Sequence, residues 1–299
     1  MGSKLSSHLA RPKKCCAPFR YIQRMKSSTP FQSLAIVGLG GIGASVGLGL
    51  KRRGLPLRIG GYDLLPEVLE LAQAQGVIDF ICPSLAACAD AELIVLATPP
   101  HALPQCFQEL APHLKPGTVL TDVASVKAPV LAWAQTILPH SQRFVGGHPI
   151  AGTERSGLQA ARADLFEGAQ WVLTPTAYTD PAAQQQVEWL VRSLGATPIL
   201  MEAEQHDKEF ALLSFLPHCV AFSLQSLHRQ HPTLLQGSSS WRDATRVAES
   251  DPALWAELLL LNRQFTAEHL TALIAHLNRL AQLLEKGDEK SLRAFLKPK

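Results

Sequence analysis

Residues 34–43 read LAIVGLGGIG, and the reading of this stretch decides the fold. Leu34, Ala35, Ile36 and Val37 form a short apolar run without charge, the pattern of a strand buried on both faces of a parallel sheet. Gly38, Gly40 and Gly43 then give GxGxxG, and from Ile42 to about Arg53 the apolar residues suit a helix. In this pattern the first glycine permits a tight turn, the second lets backbone approach a pyrophosphate, and the third packs helix on strand. The phosphates then lie at the positive end of the helix. Asp63 ends a second apolar run, Leu57 to Tyr62, 20 residues past Gly43. A carboxylate there can accept hydrogen bonds from the hydroxyls of an adenosine ribose. Gly38, Leu39, Gly40, Gly41, Ile42, Gly43 and Asp63 are therefore the expected dinucleotide site.

Outward from this turn, Leu93 to Ala97 (LIVLA) is a further fully apolar strand, broken by Thr98, Pro99 and Pro100. In a doubly wound sheet the ligand lies off the carboxyl ends of the strands, so Thr98 and Pro99 should border it. Val77 to Ile81, Val119 to Val123 and Phe144 to Gly146 are further strand candidates, and Trp171 to Leu173 is expected to close the sheet. Helices from Pro66 to about Gln75 and from Leu103 to His113 alternate with them. The alternation predicts an α/β fold, a Rossmann-type doubly wound and mostly parallel sheet. After a helix from Pro181 to Leu194 and a brief strand, Pro198 to Met201, long helical periodicities follow, Ala203 to Arg229 and Pro252 to Leu284. Pro217 should kink the first or start a new helix. Leucines recur in the second at intervals of three and four but spread past one face, so the helix needs more than one partner. That predicts an all-helical second domain that dimerises. The expected division is a disordered basic leader at 1–30, a dinucleotide-binding domain at 31–178 and a helical substrate and dimerisation domain at 179–299.

The net charge of +3 is unevenly distributed. Residues 1–30 carry seven Lys or Arg and no acid, which leaves the remainder at a net −4. A mildly acidic body argues against a nucleic-acid surface. There is no run of about 18 consecutive apolar residues, so no membrane span is expected. The six cysteines form no CxxC pair and suit a reduced compartment; no metal is expected. The expected location is the cytoplasm, with organelle import through the leader, or a translation start at Met25, left open.

Two polar residues at predicted strand ends lie where chemistry would occur. Ser125 follows the strand that ends at Val123, and His148 stands in an exposed, shaped loop between Gly147 and Pro149. Dehydrogenation of an alcohol needs a group that takes the hydroxyl proton as hydride leaves, and histidine exchanges protons near neutral pH. Farther on, Arg242 and Arg246 place two guanidiniums, suited to bidentate carboxylate binding, in a polar stretch.

GLGGIG combines with TDVASVK (Thr121 to Lys127), GGHPIAGTERSG (Gly146 to Gly157), FLPH (Phe215 to His218) and RDATRVAESDPALW (Arg242 to Trp255). Together these resemble the prephenate and arogenate dehydrogenase family of tyrosine biosynthesis, from about Leu34 to the C-terminus. The resemblance implies that His148 is the catalytic base, that Ser125 orients His148 and the nicotinamide, and that Arg246 binds a substrate carboxylate, with His218 and Glu154 lining the site. It implies prephenate as substrate, or arogenate, with Glu154 as a possible receptor of its ammonium. NAD is expected over NADP because Asp63 would repel a 2′-phosphate, although Arg52, Arg53 and Arg58 are cations near enough in sequence to soften this. The chain departs from the family at Phe215, often histidine, and at Ser238 to Ser240, where glycines are common. No fused mutase or regulatory domain is expected. Two rivals remain: a hydroxyacid or imine dehydrogenase, whose catalytic lysine would have to be Lys208 between Asp207 and Glu209, and a non-catalytic nucleotide-binding protein.

Overall fold

The structure is a computed structural model and describes residues 29–152, 156–231 and 237–297. Residues 1–28 of the expected leader and Glu154 therefore lie outside the described residues. Eight strands form one sheet: β1 (Ser33–Val37), β2 (Arg58–Tyr62), β3 (Phe80–Ile81), β4 (Leu93–Leu96), β5 (Val119–Asp122), β6 (Phe144–Pro149), β7 (Gln170–Thr174) and β8 (Thr197–Leu200). Their spatial order is β3-β2-β1-β4-β5-β6-β7-β8, and only the β6/β7 pairing is antiparallel. The chain crosses over between β1 and β4, which opens a crevice at their carboxyl ends.

The helices are α1 (Gly41–Arg53), α2 (Pro66–Ala74), α3 (Leu103–Leu110), α4 (Ala128–Ile137), α5 (Pro181–Ser193), α6 (Ala203–Phe210), α7 (Leu216–Gln230), α8 (Ser239–Thr245), α9 (Pro252–Leu261), α10 (Arg263–Lys286) and α11 (Glu289–Leu296). Apolar runs in β1 and β4 reflect burial on both faces. Leu34, Ile36, Leu93 and Val95 join one core with Val46, Leu50 and Trp171. Ala35, Val37, Ile94 and Leu96 face the other, with Phe107 and Phe144. This second core continues to Phe215, Trp255 and Leu258, so the helical part is packed on the sheet rather than hung from it. Each such side chain contributes about 1.5–3 kcal/mol on full burial.

Four expectations change in detail. Strand pairing at the third run starts only at Phe80, because Gly76 (φ +70°) turns the chain back and Val77 N–H closes onto the Ala72 carbonyl at 2.9 Å. Trp171–Leu173 does not close the sheet: β8 pairs in parallel with β7 and forms the edge. α5 and β8 therefore belong with the sheet, which extends to Leu200 and not to residue 178. The run from Pro252 to Leu284 is two helices, since buried Asn262 leaves helical geometry (φ −110°, ψ 29°) and its amide donates to the Asp207 carbonyl at 2.8 Å. Pro217 does begin a new helix, α7, after a π-helical turn at Ala211–Phe215 that spares the bond its missing N–H could not make.

Among the described residues, the helical run Ala203–Gln230 is long and apolar enough to cross a membrane by length and composition, with a mean hydropathy of 1.5 over its apolar window. Only 17% of that window is buried within one chain.

Candidate functional site

Two adjoining cavities open along the carboxyl ends of the central strands. One, about 490 Å³, is lined by Gly38, Gly40, Tyr62, Asp63, Thr98, Pro99 and His101 among others. The second, about 410 Å³, is lined by Gly40, Gly41, Ile42, Thr98, Pro99, Ser125, His148, and Leu254 and Leu258 of α9. Gly40, Thr98 and Pro99 belong to both, so an extended two-part ligand can run from one cavity into the other across the glycine turn.

The turn is shaped for that passage. Gly38 has φ +89°, and a Cβ there would stand 2.6 Å from the Ala97 carbonyl oxygen. A Cβ on Gly43 would meet the Gly38 carbonyl oxygen at 2.0 Å, so only glycine lets α1 start this close to β1. At Gly40 a Cβ would meet nothing within 4 Å: it would project into the space a pyrophosphate needs. No side chain caps the N-terminus of α1, which leaves its first turn to an anion. Asp63 accepts Leu39 N–H at 2.8 Å and Leu65 N–H at 3.1 Å, which fixes its carboxylate at the wall of the larger cavity. The cations near it in sequence are engaged elsewhere. Arg52 and Arg53 meet Glu167 at 3.6 and 3.0 Å, and Arg58 lies over the Phe80 ring at 4.4 Å. These residues fit a dinucleotide whose adenosine ribose carries free hydroxyls.

His148 does not stand in an exposed loop as expected: strand pairing with β7 continues through Pro149, so it lies on β6 and is only 8% exposed. The glycines before it serve close packing: a Cβ on Gly147 would stand 2.6 Å from the Asp122 carbonyl oxygen. The Nδ1 of His148 lies 2.8 Å from Nε2 of His206, and Nδ1 of His206 lies 2.8 Å from Oδ1 of Asp207. Asp207 also accepts Lys127 N–H at 2.7 Å and Ala128 N–H at 2.9 Å, at the start of α4. Lys127 is fully buried; its ammonium bonds the Asp122 carboxylate and donates to the Gly147 carbonyl at 2.6 Å. Burial first, then repulsion from His206 when that ring is itself protonated and from the Lys127 ammonium, holds the His148 pKa well below the ordinary 6.5, so the ring is neutral near pH 7. Burial also lowers the His206 pKa, against the bond from Asp207.

The expected site residues divide into groups. The glycine turn, Leu39, Asp63, Thr98, Pro99, Ser125 and His148 come together along the crevice. Ser125 lines the cavity beside His148, but the group that holds the His148 ring is His206. His218 and Arg246 both lie on the helical side, where burial lowers the His218 pKa against its bond to the Ser214 carbonyl and the Arg246 charge lowers it further. The Trp255 ring stacks on His218 at 3.5 Å, and neither His218 nor Arg246 lines the cavity that holds His148. Lys127, Asp122, His206, Asp207 and Asn262 escaped the sequence reading. The first two lay inside the TDVASVK motif, but His206 and Asp207 sit in AEQHDKEF, whose composition reads as a solvated helix face. His101, on the turn after β4, lies 2.7 Å from Glu257 of α9 and ties the cofactor side to the helical side.

A Rossmann-type sheet with a dinucleotide cradle, a neutral buried histidine at the end of the crevice and a helical layer closing over it define a dinucleotide-dependent dehydrogenase. The chain belongs to the prephenate dehydrogenase family: residues 46–200 match its nucleotide-binding domain and residues 202–298 its dimerization domain. Prephenate dehydrogenase of Bacillus subtilis is 34% identical over 272 residues, 89% of this chain and 73% of that protein. The structure of prephenate dehydrogenase from A. aeolicus in complex with hydroxyphenyl propionate and NAD+ superposes with a TM-score of 0.83 at 33% identity, covering 89% of this chain and 94% of that one. Synechocystis arogenate dehydrogenase gives a TM-score of 0.75 at 32% identity, covering 89% and 96%.

Proposed function

We propose that this protein catalyses the NAD-dependent oxidative decarboxylation of prephenate to 4-hydroxyphenylpyruvate. The observation that carries the reading is the placement of His148: neutral, held through Nδ1, and lining the cavity that the glycine turn enters. Bound NAD supplies the hydride acceptor for the carbon that bears the ring hydroxyl. His148 takes the hydroxyl proton at Nε2 as the ketone forms. The dienone then loses carbon dioxide from the quaternary carbon opposite, and the bonding pair enters the ring and makes it aromatic. The proton on His148 can return to the resulting phenolate oxygen, so the base is regenerated. The protein's work is therefore positioning and charge stabilisation. Ser125 borders the reacting hydroxyl, and Arg246, beside His218, anchors a substrate carboxylate. Neither His218 nor Arg246 lines the cavity of His148, so an unchanged KM in Arg246→Gln would remove the anchor role.

Asp63 supports NAD over NADP, because no arginine near it in sequence is left to receive a 2′-phosphate. Equal catalytic efficiency with both cofactors would overturn that preference. Arogenate is the second reading, favoured by the likeness to Synechocystis arogenate dehydrogenase. Steady-state turnover of purified protein with each substrate decides between them, and absence of turnover with both would remove the assignment.

The protein is a homodimer in this reading. Leu213 (68% exposed), Leu260 (68%) and Leu277 (53%) are among the large apolar side chains left in solvent on the helical part, the part that matches the dimerization domain. Sedimentation should give twice the mass of one chain.

A further inference from the structure

His206 and Asp207 carry no sequence signal, yet they are buried where α6 meets the start of α4 and the strand that bears His148. The two contacts in the row His148, His206, Asp207 are each 2.8 Å, so each must hold one proton between its heavy atoms. The carboxylate fixes where those protons lie. Asp207 offers only lone pairs, so Nδ1 of His206 must carry the hydrogen; the opposite tautomer would set two lone pairs against each other at that distance. Nε2 of His206 is then an acceptor, and the contact is made only if Nδ1 of His148 is the donor. A neutral His148 with its hydrogen on Nδ1 has its lone pair on Nε2, the nitrogen left for substrate.

We infer that His206 and Asp207 are positioning residues that set the tautomer of His148 and stabilise its positive charge when it takes the substrate proton. The second effect follows from the same geometry. A buried imidazolium is costly, and here its Nδ1–H points at a neutral ring whose far side is bonded to an anion. One proton moves, from substrate hydroxyl to Nε2, and none has to leave Nδ1. Phe210 fixes both rings in place, stacked on His206 at 4.4 Å and tilted against His148 at 4.8 Å. Asp207 is anchored in turn by two N–H donors at the head of α4, and its carbonyl by Asn262. The helical part thus reaches the carboxyl-terminal end of β6, inside the sheet, to prepare the base, an arrangement that neither part forms by itself.

This inference rests on His148 as base, and a double-variant cycle separates the two. His206→Phe keeps the aromatic stack and leaves the contacts of Asp207 with α4, but removes the acceptor for Nδ1. It is expected to lower kcat by about 10- to 100-fold with KM changed less than about three-fold. In a His148→Asn background the same change should have no further effect on kcat, because it acts only through His148. Asp207→Asn removes the anion that holds the His206 hydrogen on Nδ1, and it should lower kcat at least as far while the ¹⁵N spectrum of His148 loses its single Nδ1–H tautomer. Wild-type kcat in His206→Phe, or an equal loss in the presence and absence of His148, overturns the role of His206 and Asp207. Normal turnover in His148→Asn alone overturns the base itself. If Asp207→Asn does not fold, the His206→Phe cycle still decides.

Discussion

The two halves of the crevice are built from different materials. On the cofactor side, recognition is mostly backbone: glycines that admit close approach, an uncapped helix end, and one carboxylate held by two N–H groups. On the catalytic side it is a buried set of ionisable side chains, Lys127, Asp122, His148, His206 and Asp207, linked by hydrogen bonds across three elements. The cradle comes from one continuous stretch, so it forms whenever β1 and α1 pack. The buried set is contributed by residues up to 85 positions apart and exists only when the helical part has docked. At Gly38 and Gly43 the cradle has no room for an added carbon, and the buried set depends on every partner being present.

The sharpest break should come at Lys127. Replacing it with Met leaves the Asp122 carboxylate buried without its cation, although Ala124 N–H at 2.9 Å and Gly147 N–H at 3.0 Å still reach it. Loss of one partner of a buried pair costs about 3–5 kcal/mol, and the retained donors place this case near the lower end. Denaturant unfolding measures it, and a loss under about 1 kcal/mol would show that the pair does not hold the catalytic side together.

Next in size is His148→Asn, expected to lower kcat about 100-fold or more with KM little changed, which is about 2.7 kcal/mol of transition-state stabilisation. Arg246→Gln should show the opposite signature, a strong rise in KM with a smaller effect on kcat, because in the proposed function it holds a carboxylate present before reaction. The same kinetic pattern in both variants would undo the division into base and anchor.

Gly43→Ala tests the backbone side. Its Cβ would press on the Gly38 carbonyl oxygen, and overpacking of this kind costs about 1–3 kcal/mol. Calorimetric titration should show NAD affinity lower by about ten-fold or more, while His148→Asn leaves it nearly unchanged. Unaltered NAD affinity in Gly43→Ala would contradict the cradle.

The smallest effect concerns pH. The groups facing His148 are His206 and Asp207 from α6, and Lys127 and Asp122 from β5 and the turn after it. With the folded-state pKa of His148 below its unfolded value, the unfolded chain binds more protons in acid. This stability is present above about pH 6.5 and is lost as pH falls toward the folded value. Wild type should therefore lose stability below pH 6.5 more steeply than His148→Asn, and the acid limb of kcat should lie below 6.5. Parallel stability curves would mean that His148 does not titrate as a buried neutral base.

Residues 34–43 determined the strand, the turn and the helix, and together with Asp63 the dinucleotide, because Gly38 and Gly43 leave room for a close backbone approach that a side chain would block. The alternation that follows determined the sheet, and the motif at Gly146–Gly157 pointed to His148. The boundary near residue 200 was not legible: β8 is a four-residue strand after a helix and gains its place only by pairing with β7. The break at Asn262 was hidden in a leucine-rich periodicity, since its cause is a hydrogen bond to a carbonyl 55 residues away. His206 and Asp207 lay in a polar helix that periodicity assigns to solvent. Only the tertiary structure placed them inside, where burial makes their few contacts strong and their loss costly, and where one histidine could be given one tautomer.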